Sequence, residues 1–64
     1  MDLSRDRLDL LIEQHIFNER DRRILRRRWF DKIKFEDLAE EFQLSTRRTK
    51  SIVYAAEKIL IKYI

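Results

Sequence analysis

Apolar residues in this chain recur every three or four positions, which is the spacing of one face of a helix rather than of a strand. The first such run predicts a helix over about residues 4–16, with the Ser4 side chain as its N-terminal cap. The apolar face of this helix contains Leu8, Leu11, Ile12 and Ile16. His15 falls on the same face, so we expect a packed or interface histidine rather than a metal ligand or general base.

A second helix is predicted from a cap at Asn18 to about Phe30. Glu19 and Asp21 place carboxylates in its first turn, at the positive end of the helix dipole. One face is cationic, with Arg22, Arg23, Arg26 and Arg27, and the other is apolar, with Ile24, Leu25 and Trp29. Trp29 and Phe30 could stack on unpaired bases, although their spacing is more typical of core residues.

The four arginines of the cationic face have no acidic residue between them, so they should repel one another. Phosphate groups or an acidic protein surface would relieve this repulsion, or the arginines would simply be solvated. Arg28 falls instead within the apolar face, where an unpaired guanidinium is costly. We therefore expect Arg28 to pair with Glu40 or Glu41 of the next helix.

A short third helix and a long fourth helix follow. The third is predicted over about residues 35–42, and the fourth from a Ser45 cap through Lys62, after a break at Gln43–Leu44. The third helix buries Phe35, Leu38, Ala39 and Phe42 and exposes Glu36, Asp37, Glu40 and Glu41. Ala39 is small enough to let these two helices approach each other closely.

The predicted elements make an all-α fold, a four-helix single domain over residues 1–64 with a helix-turn-helix at about residues 35–54. The fourth helix buries Thr49, Ile52, Val53, Ala56, Leu60 and Tyr63 and exposes Arg47, Lys50, Ser51, Tyr54 and Lys58. An arginine on such a face can donate to two acceptors of guanine, and lysine and serine can bond phosphates or base edges. A tyrosine can pack on a thymine methyl group or a sugar. The exposed face therefore suits the major groove of DNA.

Composition excludes several other functions. The 64 residues include no cysteine, glycine or proline and one histidine, so disulfides, glycine-rich phosphate loops and an ordinary structural zinc site are ruled out. No nucleophile–base pair accompanies the carboxylates, so we expect no enzymatic activity, no catalytic residues, no metal site and no cofactor. Neither a signal peptide nor an apolar run near the roughly 20 residues of a membrane span is present. We expect a cytoplasmic protein that does not contact membranes.

An ordered set of short motifs runs through residues 19–60. It consists of ER-x-x-x-[IV]-L, an arginine followed by an aromatic residue, [FY]-E-[ED]-[LI]-A-E-E and a helix opened by serine or threonine, here ERDRRILRRRWFDKIKFEDLAEEFQLSTRRTKSIVYAAEKIL. In this order and spacing the set resembles region 4 of bacterial sigma factors. The other promoter-binding domain and the large polymerase-binding surface of a sigma factor do not fit in this length. The resemblance is to region 4 alone, as in small phage or prophage regulators.

The resemblance implies which residues reach promoter DNA: Ser45, Thr46, Arg47, Arg48, Lys50, Ser51 and Tyr54. It also implies phosphate contacts from the second helix and its loop, where the candidates are Arg22, Arg23, Arg26, Arg27 and Lys34. Lys58, on the exposed face of the fourth helix, is a further candidate for a phosphate contact. Lys32 and Gln43 stand where the family usually has glycine, so Gln43 would adopt a left-handed backbone at some cost. Thr49 is polar where the family usually has a core valine or isoleucine.

These observations favour a sequence-specific DNA-binding transcription regulator, with double-stranded DNA and RNA polymerase as partners. One rival is a protein-interaction module whose arginine face binds an acidic partner or the polymerase. Another is a DNA-packaging module of the small terminase type, which would normally need an oligomerisation domain. The apolar tail of residues 59–64 either packs against the first helix of its own chain or forms a homodimer through the C-terminal helix.

Overall fold

Four helices account for most of the computed structural model, which describes residues 4–64. They are α1 (Arg5–His15), α2 (Glu19–Trp29), α3 (Phe35–Glu41) and α4 (Thr46–Leu60), and a 3-10 turn follows at Ile61–Tyr63. No strand occurs within residues 4–64, so the all-α prediction is confirmed. None of these helices combines the length and the apolar composition that crossing a membrane requires.

Three of the four helices begin at the side-chain caps that the sequence predicts. The cap oxygens of Ser4, Asn18 and Ser45 accept hydrogen bonds from the backbone N–H groups of Arg7 at 3.3 Å, Asp21 at 3.2 Å and Arg48 at 3.0 Å. The prediction for the far end of α4 was wrong, because the α-helix ends at Leu60 rather than Lys62. There the chain tightens into the 3-10 turn, as helix ends often do.

One core joins all four helices, and α4 packs against each of the other three. The side chains with essentially no exposed surface are Ile12, Ile24, Leu25, Leu38, Thr49, Val53 and Leu60. Thr49 is accommodated there because its hydroxyl donates to the Ser45 carbonyl oxygen at 2.9 Å. The polar atom is thus satisfied within α4, which explains how a threonine occupies an apolar position.

The turn between α3 and α4 is a Schellman motif with Gln43 at its left-handed position, at a φ of 57°. The Leu44 N–H donates to the carbonyl of Ala39 at 2.8 Å, and the Gln43 N–H donates to that of Glu40 at 3.2 Å. The expected left-handed Gln43 is confirmed. Lys32, in the loop after α2, also has a positive φ of 56°. Both residues carry a Cβ in a conformation that favours glycine.

Two aromatic side chains, Trp29 and His15, make contacts between different helices or between a helix and the C-terminal tail. The Trp29 Nε1–H donates to Glu57 Oε2 at 2.8 Å, which ties α2 to α4. Trp29 and Phe30 are partly buried against the core, in agreement with the core interpretation. The His15 and Tyr63 rings stack with their centroids 3.7 Å apart, so the packed histidine is confirmed and Tyr63 joins the tail to α1. The prediction that the fourth helix buries Tyr63 was wrong: Tyr63 is 47% exposed, because it lies in the 3-10 turn after α4 and only its stack with His15 covers it. Ile61, by contrast, is 70% exposed.

Candidate nucleic-acid interface

The exposed face of α4 has cations towards both ends and two uncharged residues, Ser51 and Tyr54, between them. Five residues predicted to face outward are all exposed: Arg47, Lys50, Ser51, Tyr54 and Lys58. Glu57, the one acid in α4, points instead to Trp29 and accepts its hydrogen bond. Among residues 4–64, no salt bridge engages the cations of this face. Their charge is therefore available to a partner.

The start of α4 contains the three remaining predicted contact residues, Ser45, Thr46 and Arg48. Arg48 is exposed beside Arg47, and the first turn contains no acid that would neutralise the positive end of the helix dipole. Thr46 is half-buried, and the Ser45 hydroxyl is engaged in capping the Arg48 N–H. The two arginines are thus the accessible donors of this turn, whereas Ser45 already has a structural role.

Phe35, the first residue of α3, anchors the middle of the α4 face. Its ring lies 5.8 Å from the Tyr54 ring in an edge-to-face arrangement, with an interplanar angle of 70°. The Lys50 Nζ lies 5.8 Å from the same ring. Sequence reasoning placed Phe35 in the core and missed this contact, because helical spacing does not show where the start of α3 meets the edge of α4.

Arg28 supports Phe35 from α2, and the predicted pairing of Arg28 with Glu40 or Glu41 was wrong. The Arg28 guanidinium lies 4.1 Å from the centre of the Phe35 ring, and its Nη1–H donates to the Ile33 carbonyl at 3.0 Å. Glu41 pairs with Arg27 instead. A ring and a backbone carbonyl satisfy Arg28, so it needs no carboxylate.

The arginines of α2 are largely engaged with carboxylates of the same chain, so the expected repulsion between them is relieved internally. Arg26 donates to Asp9 and to Glu13, each at 2.6 Å. The hydrogen bond to Asp9, followed by that to Glu13, raises the pKa of Arg26 above its ordinary value. Sequence analysis did not predict these pairs, because the spacing within α2 does not show which carboxylates of α1 lie against it; Asp9 and Glu13 lie 17 and 13 positions before Arg26.

Arg27 and Arg22 are engaged in the same way. Arg27 contacts Glu41 at 2.7 Å and Asp31 at 2.9 Å, and these hydrogen bonds, with that to Glu41 the stronger cause, raise its pKa. Arg22 donates to the Ile16 carbonyl and, at 2.7 Å, to the Glu13 carbonyl. Arg22 thereby satisfies two carbonyl groups at the C-terminal end of α1.

Three of the six candidate phosphate contacts remain exposed and accessible. The Arg23 side chain is 67% exposed and has only a long contact of 3.9 Å to Glu19. Lys34, in the loop before α3, and Lys58, on α4, are also exposed. These three are the strongest candidates for phosphate contacts. Arg22, Arg26 and Arg27 would first have to exchange contacts within the protein.

An open groove of about 570 Å³ runs beside the exposed face of α4, between that helix and the loop after α1. Its apolar lining includes Phe17, Ile59 and Tyr63, and its polar edge includes Arg48 and Ser51. Phe17 is 84% exposed. The groove therefore adjoins the cationic face but differs from it in chemistry.

Two helices joined by a tight turn, the second presenting unpaired cations to solvent, define a helix-turn-helix module of the class that binds DNA. Comparison with protein families gives the particular family. The family described as sigma-70, region 4 matches residues 16–58, about two-thirds of the chain. The chain belongs to this family of DNA-binding modules. Searches of curated proteins and of solved structures found no significant match.

Proposed function

We propose that this protein is a sequence-specific, DNA-binding transcription regulator that places α4 in the major groove. One observation carries the proposal: the exposed face of α4 holds Arg47, Lys50 and Lys58 without a salt bridge among residues 4–64. A face of this kind can bond both base edges and phosphates. Membership of the sigma-70, region 4 family supports the same role.

The sequence resemblance supports a small regulator of the phage or prophage type, acting without enzymatic activity in the cytoplasm. It also supports RNA polymerase as a second partner. The exposed Ile61 supports a homodimer through the C-terminal end of α4.

The rival in which an acidic protein binds the arginine face of α2 is less well supported. Arg22, Arg26 and Arg27 already contact carboxylates or carbonyls of their own chain. An acidic partner would have to displace those contacts, whereas DNA meets unengaged cations on α4. The DNA-packaging alternative has no specific support in the structure.

Selection of bound duplexes from a random pool tests the proposal. We expect an enriched motif with wild-type protein and no enrichment when Arg47 and Lys50 are both replaced by alanine. The matched control replaces Arg5 and Arg7 by alanine; both are exposed, both lie on α1 rather than on the α4 face, and their replacement removes the same charge. This control should enrich the wild-type motif. A wild-type protein that retains duplexes without base preference would contradict sequence-specific binding.

A further inference from the structure

We propose that Tyr54 recognises a thymine through the C5-methyl group in the major groove, and that Phe35 is the residue that positions Tyr54 for this contact. The inference rests on the proposed function, since it concerns the same α4 face. It specifies the base and the chemical group that α4 contacts, and it adds a positioning residue, Phe35, that lies on α3 rather than on the exposed face of α4.

Tyr54 is placed where a base-contacting aromatic residue is needed. It is 55% exposed, and Lys50, Ser51 and Lys58, the residues nearest to it on the same side of α4, are exposed as well. Ser51 and Arg47 lie three and seven positions before it, so all three share one side of the helix. A side chain in this row faces the same surface as the predicted base contacts. An exposed aromatic ring there offers apolar area rather than hydrogen bonds.

Thymine is the base that offers a matching apolar group, because its methyl is the one hydrocarbon group in the major-groove pattern of the four bases. Tyrosine suits this contact, since its ring is large and has few rotatable bonds. The contact with Phe35 leaves more than half of Tyr54 exposed.

Phe35 lowers the entropic cost of that contact. The edge-to-face contact at 5.8 Å restricts the Tyr54 ring before DNA arrives, and a side chain ordered in advance loses less freedom on binding. Phe35 is itself held in place, because the Arg28 guanidinium lies 4.1 Å from the centre of its ring and is bonded to the Ile33 carbonyl. The three residues therefore form a support that runs from α2 through α3 to α4.

The experiment uses the duplex enriched by selection and replaces each thymine in turn with uracil, which removes only the methyl group. Dissociation constants would be measured by fluorescence anisotropy. For wild-type protein we expect one position at which uracil weakens binding by roughly fourfold, the equivalent of one buried methyl group. Tyr54→Ala should bind thymine and uracil equally at that position, whereas Tyr54→Phe should keep the difference because it keeps the ring.

Phe35→Leu tests the positioning role. It keeps an apolar residue at the start of α3, and circular dichroism would establish that the variant is folded. We expect it to reduce the difference between thymine and uracil at the Tyr54-dependent position while leaving other positions unchanged. Full retention of that difference would overturn the role of Phe35.

Three results would overturn the thymine contact itself: an enriched motif without thymine, wild-type binding that is indifferent to every uracil, or a uracil effect that persists in Tyr54→Ala. Failure of the proposed function would be distinguishable from these results. In that case the wild-type protein would enrich no motif at all, before any uracil was introduced.

Discussion

Replacing Gln43 with glycine should stabilise the protein, because Gln43 holds the left-handed position of the turn between α3 and α4. A residue with a Cβ costs roughly 1–2 kcal/mol in this conformation. Glycine removes that cost, but it also adds conformational freedom to the unfolded chain, which lowers the free energy of unfolding by about 0.5–1 kcal/mol. The net gain should be about 0.5–1 kcal/mol. Gln43 is exposed, so its side chain gives up no core contact.

Chemical and thermal unfolding followed by far-ultraviolet circular dichroism would measure this gain. For a domain of this size, about 1 kcal/mol shifts the melting temperature by roughly 4–8 °C, so we expect a rise of about 2–8 °C. Two controls isolate the cause. Gln43→Ala keeps the Cβ and should change stability little, and Ala55→Gly, at an exposed position inside α4, should cost about 1 kcal/mol.

Two results would contradict this prediction: destabilisation by Gln43→Gly of the size caused by Ala55→Gly, or stabilisation by Gln43→Ala equal to that by Gln43→Gly. Either result would show that backbone strain at Gln43 does not limit stability. DNA affinity gives an independent check. The Schellman hydrogen bonds fix the turn that joins α3 to α4, and glycine can keep them, so Gln43→Gly should bind the enriched duplex as tightly as wild type.

Two further predictions separate structural from binding roles. Arg26→Ala should cost about 1 kcal/mol of unfolding free energy, because it removes both contacts to α1, while Arg23→Ala should be nearly neutral for stability. Arg23→Ala should instead reduce the salt dependence of DNA binding by a slope of roughly one unit; an unchanged slope would show that Arg23 contacts no phosphate. Replacing Ile61 and Ile64 by lysine should abolish a dimer to which Ile61, 70% exposed in the single chain, contributes about 1.5–3 kcal/mol and Ile64, only 36% exposed, contributes less. Sedimentation across micromolar concentrations decides this: a wild type that stays monomeric contradicts the dimer, and a variant that unfolds shows that the tail packs within its own chain.

The helices and their starts could be predicted from sequence because local interactions determine them. The oxygens of Ser4, Asn18 and Ser45 each cap the helix that follows, and the apolar spacing identifies the buried faces. Even the left-handed Gln43 could be predicted, since the family usually has glycine there and the turn needs a positive φ. These features require no knowledge of how the helices pack.

The contacts between helices could not be predicted in the same way. Whether Glu41 pairs with Arg27 or Arg28 depends on the angle between α2 and α3, which helical spacing does not give. The carboxylates that engage Arg26 lie 13 and 17 positions earlier in the chain. For the candidate site, the sequence therefore predicted which α4 residues are exposed, but not which cations of α2 are already engaged or how Phe35 positions Tyr54.

Base recognition by α4 is tested most directly by measuring how tightly Arg47→Ala binds the enriched duplex and duplexes with single base changes. We predict that the variant loses about 1–3 kcal/mol on the preferred site and relaxes preference at one base pair. Arg7→Ala, which removes the same charge from an exposed position on α1, should leave affinity and preference unchanged. An equal loss on every sequence, or no loss at all, would contradict base recognition through Arg47.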